Sequence, residues 1–82
     1  MRLARNAKQI GNEIRRQRKK IGLTQKALAE KVGIRQATIS DIETGTQAAN
    51  LETILNILSA LNLEFQIADR SRYSSQDIED SL

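Results

Sequence analysis

The sequence predicts a mainly α protein: a compact bundle of four to five short helices, followed by one C-terminal β-strand that pairs across a homodimer. Three observations carry this. Apolar residues recur at helical spacing through successive segments, most of them bounded by a capping residue or a glycine. The period then changes once, at residues 63–68, to the strict alternation of a half-buried strand. The chain has only 82 residues, without Cys, His or Pro, and its only aromatic residues are Phe65 and Tyr73. A chain this short buries only about 60–65% of the surface it exposes when unfolded. Its composition excludes disulfides and the usual zinc sites. Stability is left to aliphatic helix packing and self-association.

Residues 1–6 form a short basic arm. From Ala7 to Ile21, the positions Ala7, Ile10, Ile14 and Ile21 mark an amphipathic stripe that also takes in the stem of Arg18, and Gly22 suits the residue just past a helix end. Thr24 is a good N-cap, because its hydroxyl can accept an orphan backbone N–H of the following turn. The second helix carries Ala27, Leu28, Ala29 and Val32 and stops at Gly33. Ile34 plugs the junction. The third helix, Gln36 to Thr44, has Ile39 and Ile42 on one side and polar groups on the other, and ends at Gly45. Asn50 can cap a fourth helix, Leu51 to Leu61, whose apolar positions cover a wide face, with Asn62 as its stop.

In the strand segment, Leu63, Phe65 and Ile67 alternate with Glu64, Gln66 and Ala68. No second strand signal exists in the chain, and a lone strand leaves its backbone groups unpaired on both edges. It is expected to pair with the same strand of another copy; the alternative is an irregular tail that only extends the packing. Residues 70–82 are acidic and Ser-rich, and read as a flexible tail. The expected organisation is thus an arm at 1–6, one domain at 7–69 and a tail at 70–82.

The net charge of +3 conceals a division. Residues 1–35 carry eleven Lys and Arg against Glu13 and Glu30, a balance of +9, whereas residues 36–82 carry Arg70 and Arg72 against eight acids, a balance of −6. A polyanion is the expected partner of the basic half, the alternative being an unevenly charged solvated surface. The run Arg15 to Lys20 spreads round its helix, so about half of it faces water rather than one ligand. Apolar runs reach only two or three residues, against the ~20 of a membrane span. No apolar stretch follows the N-terminus, so no secretory signal is expected and the chain reads as cytoplasmic. With no His or Cys, no Gly-rich phosphate loop and no paired carboxylate spacing, no enzyme, cofactor or metal is expected.

The informative stretch is Gln25 to Glu43. Two short helices are joined by a turn at Gly33 and Ile34, with small Ala29 where the helices approach and Leu28, Val32, Ile34, Ile39 and Ile42 as buried contacts. This is the helix-turn-helix pattern. Ile10-Gly11-Asn12-Glu13-Ile14-Arg15, the run Gly22 to Ala29, and Val32-Gly33-Ile34 through Thr38-Ile39-Ser40-Asp41-Ile42-Glu43 together resemble the phage-repressor, or XRE-type, helix-turn-helix family. Ile34-Arg35-Gln36-Ala37-Thr38-Ile39-Ser40, with the following helix and strand, is more narrowly similar to the HipB-type antitoxins of HipA/HipB toxin–antitoxin pairs. The resemblance implies a homodimer that binds palindromic double-stranded operator DNA, represses its own operon and binds a HipA-type kinase toxin. It implies a nucleoid-associated protein without a membrane partner.

On that resemblance, Arg35, Gln36, Ala37, Ser40 and Asp41 face the major groove. Gln36 can bond bidentately to adenine, the Ala37 methyl can meet a thymine methyl, and Ser40 can serve several bases. Arg35 can reach guanine or a phosphate; it stands where the family often has a Ser or Thr cap, which weakens the cap and adds a cation. Asp41 accepts from cytosine or repels phosphate. Thr24, Gln25, Thr38 and Thr46 are the expected phosphate contacts, which position the protein without reading sequence. Arg18 and Glu43 match family positions that pair, and are expected to form a partly buried ion pair, or else an exposed one of small worth. Leu63, Phe65 and Ile67 form the dimer strand. Tail residues Tyr73, Ile78 and Leu82 are candidate anchors for the toxin. The alternative function is a stand-alone phage-repressor or Cro-like regulator; an RNA-binding helical domain is a further one.

Overall fold

A computed structural model of the chain describes residues 3–46 and 49–69. It contains four helices among these residues: α1 (Ala7–Lys20), α2 (Gln25–Val32), α3 (Gln36–Thr44) and α4 (Leu51–Ala60). The expected tail at 70–82, with Tyr73, Ile78 and Leu82, lies outside the described residues, as does the start of the basic arm.

The helix ends follow local chemistry. Side chains of Asn6, Thr24 and Asn50 accept from the backbone N–H of Gln9, Ala27 and Thr53 at 2.9, 3.0 and 2.8 Å, capping α1, α2 and α4. Arg35 stands at the start of α3 with no side-chain cap bond, the departure expected from its side chain. Each helix closes with a bond five residues back: Leu23 N–H donates to Arg18 C=O, Ile34 to Ala29, Thr46 to Asp41 and Leu63 to Leu58, at 2.8 to 3.0 Å. This winding reversal needs a left-handed residue, supplied by Gly33 at φ 85° between α2 and α3 and by Asn62 at φ 59° after α4.

The core is aliphatic. Ile14, Leu28, Ile39, Ile57 and Leu61 are fully buried, with Ala29 and Ile42 beside them. Each large aliphatic side chain here stabilises the fold by about 1.5–3 kcal/mol. Ile10, Leu23, Val32, Ile34, Ile54, Leu58 and Leu63 pack round the margin. α3 lies against both α1 and α2, and α2 also meets α4. The approach of α1 to α3 depends on Gly11: a Cβ there would stand 2.1 Å from the Ile42 carbonyl oxygen and 2.7 Å from that of Glu43. Ala29, the small residue expected at the close approach of α2 and α3, is buried, at 3% exposure.

The expected strand is not formed in the single chain. Residues 63–69 carry neither helix nor strand; Leu63 folds back on the core, while Phe65 is 51% and Ile67 89% exposed. A strand is a pairing between two segments, and the described residues hold no second segment of that period. α4 also leaves Leu51 and Leu55 exposed, one turn apart on one face.

Candidate nucleic-acid interface

Burying one side of α3 decides what the other side offers. Ile39, Ile42 and Glu43 point inward, and the 3.6-residue period places Ala37, Ser40, Asp41 and Thr44 on the opposite arc, with Gln36 at its margin in the first turn. Arg35, Gln36 and Ala37 are exposed; Ser40 and Asp41 are partly so. The five expected groove residues therefore share the entrance and outer face of one helix. Thr38 is not brought together with them: it stands on the far flank of α3, about 160° round from Ser40, and is partly buried.

The phosphate set forms two groups. Thr24 and Gln25 open α2, where backbone N–H groups face outward. The Thr24 hydroxyl accepts from Ala27 N–H and keeps its own hydrogen for an outside acceptor. Thr46 follows α3; its hydroxyl lies 3.0 Å from that of Thr44 and 3.5 Å from Asp41 Oδ1, the latter at the outer limit of a hydrogen bond. Asp41 thus has a neighbour of its own chain at the edge of the groove face.

Beneath this surface lies the ion pair. Arg18 Nε donates to Glu43 Oε2 at 2.6 Å and Nη2 to Oε1 at 3.1 Å, a bidentate fork, while Nη1 donates to the Leu23 carbonyl at 2.8 Å. Arg18 is 7% and Glu43 3% exposed, so the pair is deeper than expected from sequence. Gln25 Nε2 donates to Glu43 Oε1 at 3.1 Å. One carboxylate therefore ties α1, the start of α2 and the end of α3 together.

Sequence reasoning missed three features. Asn6 caps α1. Gln17 Nε2 donates 3.0 Å to the Leu61 carbonyl, joining α1 to the end of α4. Lys8, Asn12 and Arg15 line a cleft with Arg18, Gln25, Glu43 and Thr44. A helical wheel finds the last group, since i, i+4 and i+7 share a face; an Asn directly before Ala7 is itself a cap signal, whereas nothing local marks the Gln17 contact. Among the described residues no helix is long and apolar enough to cross a membrane, and no group of acidic side chains is placed to hold a metal ion.

Comparison with known proteins agrees with this geometry. The Helix-turn-helix family profile matches residues 14–67. Antitoxin HipB of Escherichia coli strain K12 is 37% identical over 71 residues, covering 87% of this chain and 81% of that protein. Among solved structures, the HipA–HipB–O2–O3 complex contains a chain that superposes with a TM-score of 0.76 at 35% identity, over 84% of this chain and 97% of that one. The restriction-modification controller protein C.AhdI of Aeromonas hydrophila superposes with a TM-score of 0.64 at 31% identity, over 67% of this chain and 83% of its own. The chain belongs to the helix-turn-helix family, as a HipB-like antitoxin within it.

Proposed function

We propose that the protein is a homodimeric, sequence-specific repressor of a palindromic operator that also serves as the antitoxin of a HipA-type kinase and regulates its own operon. The observation that carries the DNA half is the outer face of α3. Arg35, Gln36 and Ala37 stand exposed at its entrance and Ser40 and Asp41 on its outer side, held from behind by the buried Arg18–Glu43 pair. A major groove about 12 Å wide admits such a helix, entering by its start. Thr24, Gln25, Thr38 and Thr46 supply the phosphate contacts. Support comes from the relatives: solved structures include HipB with an O4 20-mer and the HipA–HipB–O2–O3 complex.

The dimer half rests on what the single chain leaves uncovered. Phe65 and Ile67 are exposed in a segment of strand period, and α4 leaves Leu51 and Leu55 exposed as well. Leu63, Phe65 and Ile67 pair with the same segment of a second copy, which closes both unpaired edges. Two recognition helices then stand about 34 Å apart, one turn of DNA. The work is done on the nucleoid, in the cytoplasm.

Selection of duplexes from a random-sequence pool, followed by titration across salt concentrations, tests the DNA reading. A palindromic consensus and a steeply negative log–log slope are expected; a slope near zero refutes it. Co-purification with the kinase tests the toxin partner, and its persistence after deletion of residues 71–82 would remove the tail from that contact. The likeness to the controller protein favours one second reading, a regulator without a toxin. A kinase-like reading frame beside this gene decides between them.

A further inference from the structure

A cleft of about 420 Å³ between α1 and α3 borders the faces assigned above but brings in three residues of α1 that they do not include. Lys8, Asn12 and Arg15 line it from α1, Thr44 from α3 and Gln25 from the start of α2. Their spacing places the three α1 side chains within about 60° of one another round the helix. At its back the Arg18–Glu43 pair cancels its own charge, so Lys8 and Arg15 leave the cleft positive. Both are exposed, and neither joins an ion pair among the described residues.

Backbone packing, rather than rotamer choice, sets the walls. Gly11 lets α1 lie on the carbonyls of Ile42 and Glu43, and a Cβ on Gly45 would stand 2.9 Å from Lys8 Cα. Lys8 is thereby fixed beside the end of α3, and Arg15 lies two turns along. The lining residues Lys8, Asn12, Arg15, Arg18 and Gln25 all carry N–H donors. Guanidinium, ammonium and amide donors together match phosphate oxygens. The cleft also shares Gln25 with the phosphate set at the start of α2.

We infer that this cleft seats the DNA backbone beside the groove that α3 enters, with Lys8 and Arg15 each neutralising one phosphate and Asn12 donating between them. The two cations are about 10 Å apart along the helix axis, so they serve different phosphates. The inference rests on the DNA-binding reading above and adds a contact from the first helix.

The test compares two charge-matched double variants of the full chain, Lys8→Gln/Arg15→Gln and Arg16→Gln/Lys20→Gln, on the duplex that the wild-type chain selects. The second pair lies about 100° round α1 from the first and is also exposed. Each lost phosphate contact reduces the log–log salt slope by about 0.9. The cleft variant should lose about 3.6 from the slope of the dimer, two contacts from each copy, so that its deficit against wild type shrinks about 150-fold between ~50 and ~200 mM salt. Its preference among sequences should stay as in wild type, since phosphate contacts carry none. The control pair should lose less than half as much slope. Equal losses in both variants, or no loss in the cleft variant, overturn the inference and leave the DNA reading standing. Failure of the wild-type chain to select any duplex sinks the DNA reading, and the cleft with it. Circular dichroism melting of both variants should match wild type, which shows that the slopes report binding and not folding.

Discussion

Replacing Arg18 by Met tests the central joint of the fold. Methionine keeps most of the apolar stem and removes the guanidinium. The change deletes hydrogen bonds of 2.6 and 3.1 Å to Glu43 and one of 2.8 Å to the Leu23 carbonyl. Glu43, only 3% exposed, is left with a single donor from Gln25. Breaking a buried pair in this way costs about 3–5 kcal/mol, mostly through the stranded charge. A folded chain of this length holds roughly 4–12 kcal/mol in total, so the variant sits near the edge of stability. With about 4–8 °C per kcal/mol for a domain of this size, Tm should fall by roughly 12–40 °C. The assay is thermal and urea unfolding followed by circular dichroism, at fixed protein concentration because a dimer's stability depends on it. The double variant Arg18→Met/Glu43→Met removes both charges and should recover most of the loss, giving a coupling of at least about 2 kcal/mol in the cycle. A single-variant loss below about 1 kcal/mol, or one that vanishes in high salt, would mean the pair behaves as a surface contact and refute the reasoning.

Three further outcomes follow from other contacts. Gly11→Ala should destabilise by about 3 kcal/mol or more in thermal unfolding: the new methyl meets backbone carbonyls that cannot rotate away, which outweighs the ~1 kcal/mol gain in helix propensity. Arg35→Ser should split two measurements, raising stability by about 0.5–1 kcal/mol through a true cap on α3 while weakening operator binding and lowering the dimer's salt slope by about 1.8, one cation from each copy. Ile67→Asp should convert dimer to monomer in sedimentation equilibrium without unfolding the chain, because Ile67 is 89% exposed within one copy and meets a like charge only across the two-fold.

What could be read in advance was local. Thr24 and Asn50 cap their helices because Thr and Asn at those sites reach the N–H groups of the next turn, and that geometry needs only three residues. The aliphatic period placed Ile14, Leu28, Ile39, Ile42 and Ile57 inside. The outward arc of α3 is the remainder of the same period. What escaped was set by packing between distant segments. Gly11 reads as a weak helix residue until α3 is laid across it. Gln17 is an unremarkable polar position until the Leu61 carbonyl comes to meet it, 44 residues away. The depth of Arg18 and Glu43 likewise comes from the elements around them, and period alone cannot distinguish a buried ion pair from an exposed one. The segment at 63–69 shows the opposite limit: its alternation is plain, but its conformation belongs to a pairing that one chain cannot make.

The bond from Gln17 to the Leu61 carbonyl, with the Leu63 to Leu58 closure beside it, sets the direction in which the chain leaves α4. In the proposed dimer that direction becomes an angular tolerance. Each recognition helix lies about 17 Å from the two-fold axis, half of the ~34 Å spacing. An exit direction wrong by about 5° swings each helix by roughly 1.5 Å, and symmetry doubles the error to nearly the ~3.4 Å step of one base pair. The two bonds act as a gauge block: substitutions that loosen them would leave each copy folded and able to grip half an operator, while the two halves fall out of register with the DNA.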